Sequence, residues 1–178
     1  ELVQRLLPDI DLSNEAFPFM AAAQCRWQGV PARLFRLSFS GELAYELAVP
    51  AGVGGSVAEA IMTAGSEFGI AAYGLEAMGM MRIEKGHVAG NEINGQTTER
   101  DLGQAKMMST RKDYIGRALA SRPGLMGPDR WGLVGLKPMD RDARIVAGAH
   151  LLPIGEAVTT SNDLGYVTSA AFSPALGH

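Results

Sequence analysis

The sequence is poor in the residues and patterns that build several common kinds of site. Cys25 is its single cysteine, which excludes an internal disulfide and a cysteine-based metal cluster. No apolar run approaches the roughly 20 residues that a membrane-spanning helix needs. No basic segment followed by an apolar one marks a signal peptide at the N-terminus. These absences predict a cytoplasmic protein in a reducing compartment, without a membrane partner.

An excess of basic residues is also missing. Lys and Arg total 16 against 19 Asp and Glu, and the net charge of -3 argues against a nucleic-acid partner. The histidines His87, His150 and His178 lie far apart and lack the spacing of metal ligands, so no metal site is predicted. The glycine-rich segment 52–56 lacks the lysine and the spacing of a phosphate loop, and we interpret it as a strand-to-helix turn.

Periodic apolar residues organise the first two thirds of the chain, whose 178 residues suffice for one sizeable domain with a smaller companion. Alternation predicts strands over 32–39 and 43–49, joined as a hairpin. Helical spacing predicts helices over 53–67 and 74–85. Further predictions are short helices over 1–7 and 114–120, and loops over 9–20 and 88–103.

The C-terminal third has the pattern of a small all-β module, with short apolar runs separated by turn residues. Pro and Gly cluster at 122–130, so we predict one domain over 1–124 and a second over 125–178. The predicted order along the chain is two strands, two helices, a loop and then further strands. This order indicates an α+β fold. The predicted strands of the module are 131–136, 145–152 and 166–172.

A group of acidic and aromatic residues between 39 and 46 has the chemistry of a binding site. Glu42 and Glu46 lie four residues apart, and on an extended strand they would share a face. A carboxylate accepts two parallel hydrogen bonds, which suits the N–H pair of a planar heterocycle. Phe39 and Tyr45 offer stacking surface. Composition alone favours a plainer interpretation, an acidic strand edge that faces solvent.

Four segments resemble motifs of the folate-dependent aminomethyltransferases, the family of the T-protein of the glycine cleavage system. Residues 39–46 resemble T-G-E-x-G-[FY]-E, and residues 74–86 resemble G-x-x-A-R-D-x-L-R-L-E-x-G. Residues 90–98 resemble G-N-D-I-x-x-x-T-T, and residues 112–117 resemble K-x-D-F-I-G-[KR]. The family's order is kept, which implies the second half of a folate-binding module followed by a small C-terminal β-barrel.

Three further segments, 12–19, 83–86 and 167–174, resemble the sarcosine oxidase and dimethylglycine oxidase branch of the family, and above all the C-terminal region of sarcosine oxidase alpha subunits. We therefore expect a piece of a larger polypeptide, a view that a start at Glu1 inside a predicted helix also favours. The rest of the transferase module and dinucleotide-binding domains are expected upstream.

The resemblance also implies the roles of individual residues. The carboxylate of Glu46 matches the group that grips the pterin ring, and Phe39 stands where the family has a Tyr against that ring. Met78 replaces an Arg that T-proteins place beside the folate, so contact there would be apolar. For Arg82 an ion pair with Glu84 is equally open. The predicted folate-binding residues are Phe39, Tyr45, Glu46, Met78, Arg82 and His87, of which His87 has a helix-capping role as its alternative.

The implied function is capture of a one-carbon unit. A flavin elsewhere would oxidise sarcosine, and tetrahydrofolate would take up the carbon as 5,10-methylenetetrahydrofolate. No catalytic residue is assigned, because the family's catalytic Asp belongs to the upstream half. FAD, FMN and NAD are expected outside this chain, the beta, gamma and delta subunits are the expected partners, and the isolated chain is expected to be inactive. The alternatives are a stand-alone aminomethyltransferase and a non-catalytic folate-binding relative.

Overall fold

The computed structural model describes all 178 residues, which mix helices with β-sheets as an α+β chain should. The chain divides into two compact units, Glu1–Met78 and Gly79–His178. The domain boundary predicted between residues 124 and 125 falls inside the second unit, and the division into domains stays a prediction. No helix of the chain is both long enough and apolar enough to cross a membrane.

The first unit is built on a three-stranded antiparallel sheet in chain order. The predicted hairpin is confirmed as the β2–β3 pair, with Leu34 opposite Leu47, although both strands are shorter than predicted. Its elements are α1 (Leu2–Leu6), β1 (Ala22–Trp27), β2 (Val30–Phe35), β3 (Glu46–Ala48) and α2 (Gly54–Gly65).

Strand β1 was not predicted, and a tight turn explains how it joins β2. The turn consists of Gln28 and Gly29, whose φ angles are 48° and 82°. Positive φ at both central residues defines the two-residue hairpin turn that fits the right-handed twist of its flanking strands. Glycine adopts this conformation without strain, whereas Gln28 does so at a cost.

One face of this sheet packs against the hydrophobic core of the unit. Leu7 and Leu34 are almost completely buried, with 2% and 0% of their surface exposed. Burial of one such side chain contributes about 1.5–3 kcal/mol. Helix α2 adds Val57, with Ala60 and Ile61 beside it, which confirms the helical period predicted for 53–67. The buried cluster comprises Leu7, Phe17, Trp27, Leu34 and Val57.

Helix α3 (Leu75–Lys85) confirms the helix predicted over 74–85 and continues from the first unit into the second. Gly86 follows the last residue of the helix, and its left-handed φ of 77° suits a residue without a Cβ. The backbone N–H of His87 then donates to the carbonyl of Arg82 at 2.8 Å. The backbone of His87 thus takes part in closing the helix, while its role as a cap or as a folate ligand stays a prediction.

The second unit contains little regular structure after α3. The loop predicted over 88–103 is confirmed. The unit contains α4 (Arg117–Ala120) and an antiparallel pair of short strands, β4 (His150–Leu151) and β5 (Gly165–Tyr166). The 3-10 turns of the whole chain are Ala51–Val53, Ser66–Phe68, Ala105–Met107, Pro123–Leu125 and Thr160–Asn162.

The C-terminal strands differ most from their prediction. The strand predicted over 131–136 is wrong, since these residues form no strand. Gly132 and Gly135 interrupt the apolar run and weaken any strand there, and a hydrogen bond of 2.7 Å joins the Leu133 N–H to the Asp101 carbonyl instead. A barrel needs every strand paired on both sides. Residues 125–178 pair only β4 with β5, so the expected C-terminal barrel is not confirmed.

Candidate functional site

Glu46 begins strand β3 and lies on the face of the sheet that points away from the core. It is exposed and stands opposite Phe35 of β2 in the strand register. Its carboxylate has neither an ion pair nor a hydrogen-bonding side chain among the residues of the chain. Both oxygens are therefore open, which is what a pair of parallel N–H donors requires.

Tyr45 lies directly before Glu46 and turns the other way. Its ring stacks on Phe17 with a centroid distance of 6.3 Å and an interplanar angle of 23°. Phe17 belongs to the buried core, and Tyr45 packs at the edge of that core. Since side chains alternate along an extended chain, Tyr45 and Glu46 point to opposite faces. The structure thus does not bring these two predicted residues onto one surface.

Phe39 lies in the segment that connects β2 to β3. About a third of its surface is exposed, 37%. The segment turns at Gly41, whose N–H donates to the Ser38 hydroxyl at 2.8 Å and whose φ is 97°. Glu42 also belongs to this turn and not to a strand. The expectation that strand alternation would align Glu42 with Glu46 is therefore wrong, because the strand begins only at Glu46.

The remaining predicted residues follow along α3. Met78 is half-buried and ends the first unit. Arg82 and His87 belong to the second unit. The six predicted folate-binding residues thus divide between the units, with Phe39, Tyr45, Glu46 and Met78 in the first unit and Arg82 and His87 in the second. Their joint role in folate binding stays a prediction.

Arg82 is the centre of a buried polar network in the second unit. Its Nη1 donates to Oε2 of Glu92 at 3.0 Å, and its Nη2 donates to the Ser169 hydroxyl at 2.6 Å. The Ser169 hydroxyl in turn donates to Oε1 of Glu92 at 2.5 Å, and the Ala89 N–H donates to Oε2 at 2.8 Å. The side chains of Arg82 and Glu92 are only 11% and 4% exposed. The network leaves no oxygen of Glu92 without a donor.

Opposing effects set the pKa of Glu92. Its burial raises the pKa, but hydrogen bonds from Ser169, the Ala89 N–H, Thr168 and Arg82 outweigh this effect and lower it to about 2. Glu92 is therefore charged at neutral pH and forms a full ion pair with Arg82. The predicted ion pair between Arg82 and Glu84 is therefore wrong, because Arg82 pairs with Glu92 instead. The Glu84 carboxylate instead accepts a hydrogen bond from the Ser173 hydroxyl.

Sequence reasoning did not single out Glu92, although it lies in the quoted segment 90–98. The available signal was the one acidic residue of the segment 90–98, ten positions after Arg82. Ser169 carried no signal, since it lies 77 positions further on. These residues form a structural connection between α3, the loop and the segment after β5.

Asp101 and Arg130 form a second polar cluster in the same unit. Nε of Arg130 donates to Oδ1 of Asp101 at 2.9 Å, and Nη2 of Arg130 donates to Oδ2. The Thr98 N–H and hydroxyl donate to Oδ2 at 2.8 and 3.0 Å. The Arg130 hydrogen bonds and those from Thr98 lower the pKa of Asp101 to about 2 against a weaker effect of burial. This pair fixes the long segment between residues 101 and 130.

Comparison with known proteins assigns the chain to a family. The family model of the GCVT N-terminal domain matches residues 1–112. The sarcosine oxidase subunit alpha of Rhizobium meliloti is 50% identical over 99% of this chain and 18% of its own length. The corresponding subunit of Corynebacterium sp. strain P-1 is 41% identical over 99% of this chain and 19% of its own length. The chain thus spans about a fifth of these relatives.

A relative of another kind is also similar along nearly the whole chain. The aminomethyltransferase of Symbiobacterium thermophilum is 33% identical over 99% of this chain and 46% of its own length. The resemblance inferred from the four motifs is therefore confirmed, both to aminomethyltransferases and to sarcosine oxidase alpha subunits.

Proposed function

Because the chain belongs to the GCVT N-terminal domain family, we propose that it binds tetrahydrofolate as part of a sarcosine oxidase of the alpha-subunit type. In this proposal the larger protein captures the carbon released from sarcosine as 5,10-methylenetetrahydrofolate. The amine is oxidised by a flavin outside this chain, and the beta, gamma and delta subunits complete a cytoplasmic enzyme that uses FAD, FMN and NAD.

The open carboxylate of Glu46 carries the proposal. By motif resemblance it matches the family's pterin-binding carboxylate, and it lies exposed on the outer face of the sheet with both oxygens free. A pterin presents an amino group beside a ring N–H, which a carboxylate can bind with two parallel hydrogen bonds. This chain therefore contains a carboxylate that fits the donor edge of a pterin ring.

The other residues support this contact in different ways. Phe39 offers a partly exposed ring for stacking. Met78 would give an apolar contact at the position of the T-protein Arg. Arg82 has a structural role within its own unit, since its guanidinium donates to Glu92 and Ser169. His87 holds the end of α3 through its backbone.

Binding and orientation are the chemical work of this chain. Tetrahydrofolate supplies the amines that take up a one-carbon unit. Glu46 fixes the pterin, so that the reactive amines stay in one place while the carbon arrives. Apolar residues beside the ring keep water from the reactive intermediate, which would otherwise be hydrolysed to formaldehyde.

Replacement of Glu46 by Gln in the complete gene product tests the proposal. Loss of a charge-assisted pair of hydrogen bonds should weaken tetrahydrofolate binding about ten- to hundredfold, while sarcosine oxidation without folate stays unchanged. Calorimetry measures the first quantity and oxygen consumption the second. Glu42→Gln removes a neighbouring exposed carboxylate and is the matched control. An unchanged dissociation constant for Glu46→Gln would refute the placement of the pterin.

A stand-alone aminomethyltransferase is the second candidate, favoured by the similarity to the Symbiobacterium thermophilum enzyme. It predicts a shorter gene product that transfers aminomethyl groups from a lipoyl carrier protein and does not oxidise sarcosine. A non-catalytic folate-binding relative would do neither. Assays of both reactions with the complete gene product separate the three possibilities.

A further inference from the structure

The outer face of the first unit's sheet carries a row of side chains whose chemistry changes from one end to the other. Glu46 stands opposite Phe35, and Arg33 follows Phe35 at the next outward position of β2. Gln24 of β1 stands opposite Arg33, and Arg26 is the next outward residue of β1. The row thus begins with a carboxylate, continues with an aromatic ring and ends with two guanidinium groups.

Strand geometry fixes the spacing of this row. With about 3.4 Å per residue and about 4.8 Å between strands, the Cβ of Glu46 lies about 8 Å from that of Arg33 and about 17 Å from that of Arg26. The two arginines are diagonal neighbours on one face, about 7–8 Å apart, so their side chains can converge on one group. The row is long enough for an extended ligand and too long for a single small ion.

An open cavity of about 710 Å³ is lined by both arginines of this row, and also by Cys25, Ala32 and Val49, which pack towards the core. Ala48 lines the cavity and shares the outer face of β3 with Glu46. A volume of this size lies within the range of about 300–1,000 Å³ that is usual for sites of small organic ligands. Residues that line the cavity include Asp9, Gln24, Arg26, Pro31, Arg33 and Ala48.

Both guanidinium groups retain unused donors. Nη1 of Arg26 donates to the Gly29 carbonyl at 2.6 Å, which holds this side chain over the hairpin. The Arg33 guanidinium lies 5.9 Å from the centre of the Phe35 ring. Neither arginine forms an ion pair with an acidic residue of the chain. Asp9 is the one acidic residue of the cavity, so its lining keeps a net positive charge.

From this row we infer that Arg33 and Arg26 bind the carboxylate-bearing end of an elongated ligand whose opposite end is held by Glu46. The inference rests on the proposed function, under which the ligand is tetrahydrofolate and the anionic end is its glutamate tail. The order of groups matches that molecule, with an N–H donor end, a central aromatic ring and a terminal pair of carboxylates. Guanidinium groups suit carboxylates because their planar donors bind both oxygens.

Two ligands and two variants of the complete gene product test the inference. The ligands are tetrahydrofolate and tetrahydropterin, which lacks both the aromatic linker and the tail. In the double variant Arg26→Gln/Arg33→Gln, tetrahydrofolate should bind about three- to tenfold more weakly, as expected for exposed charge pairs. Tetrahydropterin binding should not change. Arg141→Gln/Arg144→Gln removes two exposed arginines elsewhere and is the control for net charge.

Salt provides an independent measurement, because exposed charge pairs weaken as ionic strength rises. The affinity of the unmodified protein for tetrahydrofolate should fall with salt, and that of the double variant should fall less. Equal tetrahydrofolate affinities and equal salt dependence in the two proteins would overturn the inference. If Glu46→Gln still weakens binding in that case, the proposed function stands. Failure of the unmodified protein to bind either ligand would overturn both.

Discussion

Arg82 and Glu92 form a buried ion pair whose Nη1 and Oε2 atoms lie 3.0 Å apart. The Ser169 hydroxyl bonds both partners and so ties them to the segment after β5. Removal of one member of a buried pair leaves the other charged and without a partner, which costs more than the pair itself contributes. Loss of either partner should therefore destabilise the second unit.

Replacement of Glu92 by Gln should lower the free energy of unfolding by about 3–5 kcal/mol, because the guanidinium of Arg82 would remain buried without its counter-charge. Urea denaturation of the chain measures this change. Glu156→Gln is the control, since Glu156 is exposed and its side chain has no partner. A loss below about 1 kcal/mol for Glu92→Gln would show that the pair is solvated.

The same pair predicts a dependence of stability on pH. The pKa of Glu92 falls from an ordinary 4.5 to about 2 in the folded chain. A lowered folded-state pKa stabilises the fold above the unfolded pKa, and this contribution disappears as the pH falls from about 4.5 towards 2. The stability difference between the unmodified chain and Glu92→Gln should therefore shrink over this interval. Urea midpoints at pH 7, 5, 4 and 3 measure it, and a constant difference would contradict the assignment.

The apolar periodicity of the sequence correctly predicted the helices and the hairpin that bury one apolar face. Helices α2 and α3 and the β2–β3 hairpin follow from periodicity, because each presents one apolar face to its neighbours. Strand β1 was missed, since its apolar side includes Ala23 and Cys25 and its turn lacks the usual Asn-Gly pair. The strand predicted over 131–136 failed because its apolar run contains two glycines.

Only the site residues that belong to a family motif could be predicted from the sequence. Glu46 came from the resemblance to a family motif, and its exposure on the outer face agrees with a binding role. The partner of Arg82 could not be predicted, because Glu92 and Ser169 meet it through folding of distant segments. Tyr45 stacks on Phe17 beside the core, a contact that the spacing of the motif did not indicate.

Replacement of Asp101 by Asn should loosen the segment between residues 101 and 130. The change removes the ionic partner of Arg130, and such charge-assisted hydrogen bonds contribute about 1.5–3 kcal/mol. Trypsin should cleave faster after Lys106, Arg111 or Lys112, which lie inside this segment. Asp9→Asn makes the same chemical change at an exposed side chain outside the segment and away from its trypsin sites, and it should not alter the digestion rate. Identical rates for Asp101→Asn and the unmodified chain would contradict the role of the pair.

Gly65, the last residue of α2, should not tolerate a side chain. A Cβ there would lie 2.7 Å from Cγ2 of Ile70 and 2.8 Å from its Cβ. Gly65→Ala should therefore lower the free energy of unfolding by about 1–3 kcal/mol through overpacking. In the same helix a Cβ at Gly55 would meet nothing within 4 Å. Gly55→Ala should instead raise the stability by about 0.5–1 kcal/mol, because alanine loses less backbone entropy.

A double-mutant cycle separates the clash from a general preference for glycine at this position. If the Ile70 side chain is the obstacle, the cost of Gly65→Ala should fall when Ile70→Gly removes every atom of the contact, including the Cβ. If the cost stays the same in both backgrounds, backbone conformation and not packing requires Gly65. Thermal unfolding of the four proteins distinguishes these results, since a change of 1 kcal/mol shifts the midpoint by roughly 2–4 °C in a chain of this size.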